Sequence, residues 1–273
     1  MRAVRLGTLC CALAAALFPP DAFAWGLQTH VYLAQWLLAA APFADPQIRA
    51  AVRRLPRLVL AGACLPDLAL AGRALGLREF RRAHQWSTVR RLATACWDEE
   101  RAIAAGYASH LLADVVAHNR FVPEHERRIL DVPHVTHALC EWAMDRHVVH
   151  ALEAQPADLL MQEIASLTEA AARVFRCPDR IARRGISFLA RAERALRVSR
   201  LPLLCSRTLN LLQGDTRPQL DGYVREAGAM VRHVESVLHG AEPPLQPEPD
   251  QPIANEPAAM RAPSAPPAIT SLG

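Results

Sequence analysis

His110-Leu111-Leu112-Ala113-Asp114-Val115-Val116-Ala117-His118 is the stretch on which the reading of this chain turns. Two histidines and an aspartate stand four residues apart, and every residue between them is apolar. At 3.6 residues per turn each step of four drifts by only about 40°, so the three polar groups share one helix face. That face is poorly solvated unless its polar groups have partners. A bound cation suits two imidazoles and a carboxylate. A hydrogen-bonded core pair or a solvated polar stripe would use the same residues structurally.

Outward from this helix, expected over 87–118, the chain keeps the same character. Apolar periodicity predicts further helices over 27–41, 133–154, 156–176, 178–197, 200–213 and 217–239 and shorter helices filling 46–64, with Pro42, Pro46, Pro123 and Pro133 as breaks or starts. Alternating β-branched stretches are nearly absent and aromatics make up 5% of the chain, so the expected fold class is all-α, a single multi-helix bundle over 25–240. A chain of 273 residues can bury such a core unaided. The formal charge of +4 is too mild for a nucleic-acid footprint, and no stable nucleic-acid complex is expected. All 31 basic residues are arginine, which coding bias explains as readily as phosphate binding.

Both ends read differently from the bundle. Arg2 and Arg5, the apolar run Leu9 to Phe18 and the motif Ala22-Phe23-Ala24 form a signal-peptide pattern over 1–24. The expectation is an exported protein, periplasmic or secreted, with Trp25 as its first mature residue. At the other end, nine of the last 33 residues are proline and the periodicity vanishes, so 241–273 is expected to be a disordered tail. Cys64, Cys96, Cys140, Cys177 and Cys205 are odd in number and form no CxxC pair, which rules against a zinc ribbon. They read as buried thiols, or as one or two bridges.

Other residues carry the same chemistry. His137 and Glu141 repeat the one-turn spacing, and with His118 they would make a three-ligand site open to water. Taken alone, that pair is as easily structural, and His134, three residues earlier, ranks below His137. Asp67 follows a proline and His84 precedes the long helix; each alone would also serve as a cap or a satisfied core group. A free amine on Trp25, with its own carbonyl, could chelate a metal together with His30.

In order along the chain, Trp25, His30, Asp67, His84, His110, Asp114, His118, His137 and Glu141 resemble the signature of the zinc-dependent phospholipase C family, which is related to the P1/S1 nucleases and to the N-terminal domain of glycosylphosphatidylinositol-specific phospholipase D. The resemblance covers roughly residues 25–150. It implies three Zn2+ per chain: one on Trp25, His30 and Asp114, one on Asp67, His84, His110 and the shared Asp114, and one on His118, His137 and Glu141. It also implies hydrolysis of phosphodiesters by metal-activated water, with Asp67 and Asp114 as the catalytic carboxylates and Asp67 a candidate base. Phospholipid is the implied substrate class, reached by transient membrane-surface contact, and a monomer is expected.

The spacing His110-x3-Asp114-x3-His118 is shorter than in the bacterial phospholipases C and nucleases, and looks more like the phospholipase D branch. Which side of the phosphate is cut is therefore open. The closing Glu141 favours the phospholipases over the nucleases. A P1/S1-like nuclease or nucleotidase and a catalytically inactive zinc-binding envelope scaffold are the alternatives.

Remaining residues read as structural. His147, His150, His233 and His239 fit a surface or capping role, and His125 a solvated loop. Trp86, Trp97 and Trp142 are expected in the core. Asp145, one turn after Glu141, fits either a partner of a ligand histidine or a surface ion pair.

Overall fold

The computed structural model of the protein describes residues 26–94, 97–129 and 133–247; Trp25, the signal-peptide pattern and most of the proline-rich tail lie outside them. Fourteen α-helices run through the described residues, with no strand among them. They are α1 (Leu27–Ala40), α2 (Pro46–Arg54), α3 (Pro56–Gly62), α4 (Leu68–Leu75), α5 (Trp86–Ala93), α6 (Asp98–Val116), α7 (Val122–Ile129), α8 (Pro133–Val148), α9 (Pro156–Gln162), α10 (Ile164–Phe175), α11 (Asp179–Val198), α12 (Leu201–Gln213), α13 (Arg217–Val231) and α14 (Val234–Leu238). Short 3-10 turns occupy Arg78–Arg82 and Val149–Ala151. No helix among the described residues is long and apolar enough to cross a membrane.

The centre of the bundle is α6. Every residue from Ala102 to Val116 is buried, so this helix is enclosed on all sides rather than amphipathic. Its composition explains how: Ala102, Ala104, Ala105, Gly106 and Ala108 let neighbouring backbones come close from several directions. The closest is α3. A Cβ on Gly106 would lie 1.9 Å from the carbonyl oxygen of Val59, so only glycine fits. Gly106→Ala must push the two backbones apart. We expect a loss of roughly 3 kcal/mol, at the upper end of overpacking costs. Urea unfolding of that variant measures it, and an unchanged midpoint would contradict the contact.

The stretch 46–64 holds two short helices, as expected, and they part at Leu55 because Pro56 lacks an N–H and starts α3 as a first-turn proline. The expected 87–118 helix is two: α5 ends at Ala93, and α6 begins at Asp98 with Asp98, Glu99 and Glu100 in its first turn, where carboxylates suit the helix dipole. Trp97, expected in the core, stands between them 72% exposed, whereas Trp86 and Trp142 are buried.

Past Val116 the helix widens into a π segment over Ala117–Phe121, with the Val122 N–H bonded to the Ala117 carbonyl. Pro123 supplies the reason: it has no N–H for the carbonyl of residue 119, and its ring would collide with it. The wider turn absorbs that conflict, and it carries His118.

Among the cysteines, Cys64, Cys140, Cys177 and Cys205 are buried, and Cys96 lies outside the described residues. In the second half of the chain α10, α13 and α14 pack on α6 and α12 packs on α8, while α9 lies on α3 and α11 on α4. Tyr107 of α6 donates to the Ala83 carbonyl, fixing the loop that leads to His84.

Candidate metal centre

Three chain segments converge on the C-terminal third of α6. Asp114 is fully buried, and His30 of α1 lies with Nε2 3.3 Å from its Oδ1. On the other carboxylate oxygen, Oδ2, His110 Nε2 approaches to 3.0 Å and His84 Nε2 to 3.6 Å. Asp67, at the N-terminal end of α4, places Oδ1 3.6 Å from His84 Nε2 and 3.9 Å from His110 Nε2. The structure thus gathers five of the sequence-predicted residues.

Protonation can be argued from the contacts. His110 Nδ1 lies 2.7 Å from the Ala63 carbonyl oxygen, which can only accept. The proton therefore sits on Nδ1, and Nε2 turns its lone pair toward His84 and the two aspartates. Burial, together with the nearby His84 and against the pull of Asp67 and the Ala63 carbonyl, lowers the His110 pKa to about 4. The ring is neutral at pH 7, as a metal ligand must be. His30 stacks on it, with ring centroids 3.5 Å apart and planes 11° from parallel, a close approach that two charged rings would resist.

Two triplets of ligand atoms each lie within 4.8 Å of one another: His30, His110 and Asp114, and Asp67, His84 and His110. The chemistry of these donors fits divalent zinc: neutral imidazole nitrogens and carboxylate oxygens, all buried, with two carboxylates in a site where burial alone penalises unneutralised charge. His110 falls in both triplets, whereas the resemblance gave the shared role to Asp114. In the structure both side chains lie between the outer ligands.

The third set is adjacent but looser. His118, on the π segment, and His137, on α8, have ring centroids 5.1 Å apart, and His137 Nε2 is 2.7 Å from Glu141 Oε1. Desolvation, then the nearby His137, His84 and His110, push His118 well below the usual histidine value. Burial, then the charges of Asp67, Asp114 and Asp145, push Glu141 well above the carboxylate range. Each direction disfavours charge in the bare protein; a nearby cation would reverse that of Glu141 and hold His118 neutral more firmly still. The side chain of His134 lies outside what is described.

Asp145 departs from both readings made of it. It is buried, and it neither holds a histidine nor pairs on the surface. Its Oδ1 accepts the Thr29 N–H at 2.9 Å and the Thr29 hydroxyl at 2.7 Å. Gly26, the N-cap of α1, has no side chain to cap with, and a Cβ there would sit 2.0 Å from Asp145 Oδ2. A carboxylate from α8 therefore caps α1 across the bundle. It locks the helix bearing His30 to the helix bearing Glu141. Next to it Gln28 donates to Glu193 Oε1 at 3.1 Å, from α11. Sequence reasoning passed over Glu193. The signal was an acid one turn beyond Leu189 and Ala190, on the apolar face of α11.

Burial raises the Asp145 pKa to about 7, opposed by its bonds to Thr29. Burial and then the charge of Asp145 raise that of Glu193 to about 8. Both values lie above those of unfolded carboxylates, near 4. Between about pH 4 and 8 these two carboxyls therefore hold more protons in the native state than in the unfolded chain, and the stability they contribute falls as pH rises. Glu193→Gln should flatten that fall. Thermal unfolding from pH 5 to 8.5 should show the variant gaining at least about 3 °C on the parent at the alkaline end. Parallel curves would remove Glu193 from this account.

Other histidines sit away from the centre. His125, expected in a solvated loop, is buried, with Nδ1 donating to the Phe121 carbonyl at 2.8 Å and Phe121 and Tyr223 against its ring. His147 meets Asp221 at the surface, at 2.7 Å, and His239 lies near Asp45.

The comparison with known families adds an independent finding. No curated protein and no solved structure matches the chain. A family model described as zinc dependent phospholipase C matches residues 29–174, more than half of the sequence. That span holds every residue of the centre described above. On this match and on the gathered donors at its core, the chain belongs to the zinc-dependent phospholipase C family.

Proposed function

We propose that this protein is an exported hydrolase of phosphodiesters that acts on phospholipids, with zinc held by His30, Asp67, His84, His110, Asp114, His118, His137, Glu141 and the amine and carbonyl of a processed Trp25. The observation that carries this reading is the convergence of three histidines from separate segments on the two oxygens of buried Asp114. When bound, zinc supplies Lewis acidity toward a phosphoryl oxygen and a lowered pKa for water.

The chain's own residues would do the rest. Asp114 presents an oxygen to each side and so fixes the spacing of the two ligand sets. His110, held by the Ala63 carbonyl, keeps its Nε2 lone pair aimed inward. Asp67 stands at the start of α4, where it can orient or accept a proton from water as well as ligate. The half-exposed rim at His118 and His137 leaves an approach from solvent that the fully buried His30, His110 and Asp114 do not.

The test combines metal content with turnover on one sample of exported, N-terminally sequenced protein. About three zinc per chain, Trp25 at the terminus and hydrolysis of a chromogenic phosphocholine ester that stops on chelation and returns with zinc are expected. Zinc with hydrolysis only of nucleic acid or nucleotides would replace the phospholipase reading with a nuclease. Bound zinc without hydrolysis of any phosphodiester would leave a scaffold.

A further inference from the structure

The segment between Asp67 and His84 has a character of its own. It runs out along α4, turns at Gly76, where φ is +68°, and returns through the 3-10 turn Arg78–Arg82. An eight-residue helix is about 12 Å long, so the tip stands about that far from Asp67. Both feet of this hairpin are residues of the metal centre. Arg73, Arg78 and Arg81 line a cleft of about 430 Å³ on it, with Leu77 between them. Phe80 anchors the hairpin on α11: it is fully buried, and Gly185 leaves the space it fills.

That contact adds the exposed side of α11. Arg180, Arg183 and Arg184 flank Gly185 and join Arg78, Arg81 and Arg82 of the hairpin, all exposed. Among the described residues none of these six makes an ion pair, while Glu79 and Asp179 are the acids within the same stretches. The net charge of the whole chain is only +4, so this face concentrates much of it. At the tip, Leu75 and Leu77 are half-exposed between the arginines.

We propose that this hairpin, with the start of α11, is the surface by which the protein docks on an anionic phospholipid bilayer. The proposal rests on the phospholipase reading above, and it names how the substrate surface is met. Leucines at a tip ringed by arginines match the headgroup boundary, where apolar groups enter and guanidinium groups bind lipid phosphates. Nucleic acid fits less well, because base stacking needs an exposed aromatic ring, and Phe80, the one aromatic of the hairpin, is buried. Docking here would bring lipid phosphates to the side of the bundle from which Asp67 and His84 are supplied.

The experiment is sedimentation of the processed, zinc-loaded chain on ice with vesicles of phosphatidylcholine alone or mixed equally with phosphatidylglycerol. The parent should bind the mixed vesicles preferentially and lose at least about tenfold of that binding in high salt, where the Debye length shrinks to about 3 Å. Each basic residue at such a surface contributes about fivefold. The variant R78Q/R81Q/R183Q should therefore bind at least about 30-fold more weakly, with unchanged hydrolysis of the soluble ester. R53Q/R207Q/R225Q, which removes the same charge elsewhere, should stay within about threefold of the parent.

Equal binding to both vesicles, an unaffected hairpin variant, an equal loss in the second variant, or tighter binding to a duplex DNA probe would each overturn the docking surface. Absence of ester hydrolysis with the vesicle pattern intact would sink the phospholipase reading instead and leave the surface standing.

Discussion

Asp114→Asn is expected to lower turnover at least about 1,000-fold, the scale seen when one electrostatic contributor to a transition state is removed, and to take bound zinc from about three to about one per chain. The effect is large because the residue serves two directions at once. Its Oδ1 faces His30 and its Oδ2 faces His110 and His84. Asparagine keeps the volume but offers one acceptor and no charge. An amide nitrogen would then point at one of these imidazoles. Since the shape is retained, far-ultraviolet circular dichroism should not change, which separates loss of the site from loss of the fold. The exposed His233→Ala should keep both zinc and rate. Full metal content and rate in Asp114→Asn would mean that the centre does not bind metal as argued.

The second large effect is expected at a residue that touches no candidate ligand. Asp145→Ala removes the cap of α1, strands the buried Thr29 hydroxyl and leaves the Thr29 N–H with only the Gly26 carbonyl at 3.0 Å. Loss of a cap costs about 1 kcal/mol, and a stranded buried donor adds about 1–3 kcal/mol. A total near 3 kcal/mol corresponds to a melting point lower by roughly 6–12 °C at this chain length. Activity should fall as well, because α1 carries His30 and, just before Gly26, the terminal residue proposed to bind metal. If the role is positioning, excess zinc should restore part of the rate in Asp145→Ala but none in Asp114→Asn. Differential scanning fluorimetry with a zinc titration of activity decides it. A melting point within about 2 °C of the parent would dismiss the cap.

These two residues also mark how much was legible before any coordinates. Asp114 announced itself because one of its partners lies on its own helix: His110 is one turn away, and a period of 3.6 makes that contact local. The all-helical class was legible for the same reason, since apolar periodicity is written residue by residue along each element. The division of the expected 87–118 helix was less so. The Asp98-Glu99-Glu100 run is a start signal, and the apolar pattern on either side of it masked the break. The π segment likewise follows from Pro123, four residues after the carbonyl it cannot serve, yet nothing local says that the helix widens instead of ending.

Asp145 and His125 could not be placed from their neighbours. Each sits beside charged residues that suggest solvent, Arg146 for one and Glu124 and Glu126 for the other. Both turn inward because a separate segment, α1 or α13, lies over them. Glu193 was hidden in the same way, as one acid among many on a helix rich in arginine and glutamate.

The sequence by itself therefore determined the helical class, the spacing of ligands within each helix and the order of the nine candidate residues, because these depend on separations of a few residues. Only the tertiary structure decided that His30, Asp67 and His84 meet on α6, that Asp145 caps a helix more than a hundred residues away, and that the Asp67–His84 hairpin gathers its arginines with those of α11. Such meetings depend on which faces pack together. That is set by the summed burial of many weakly specific apolar contacts, and no short stretch of sequence records it.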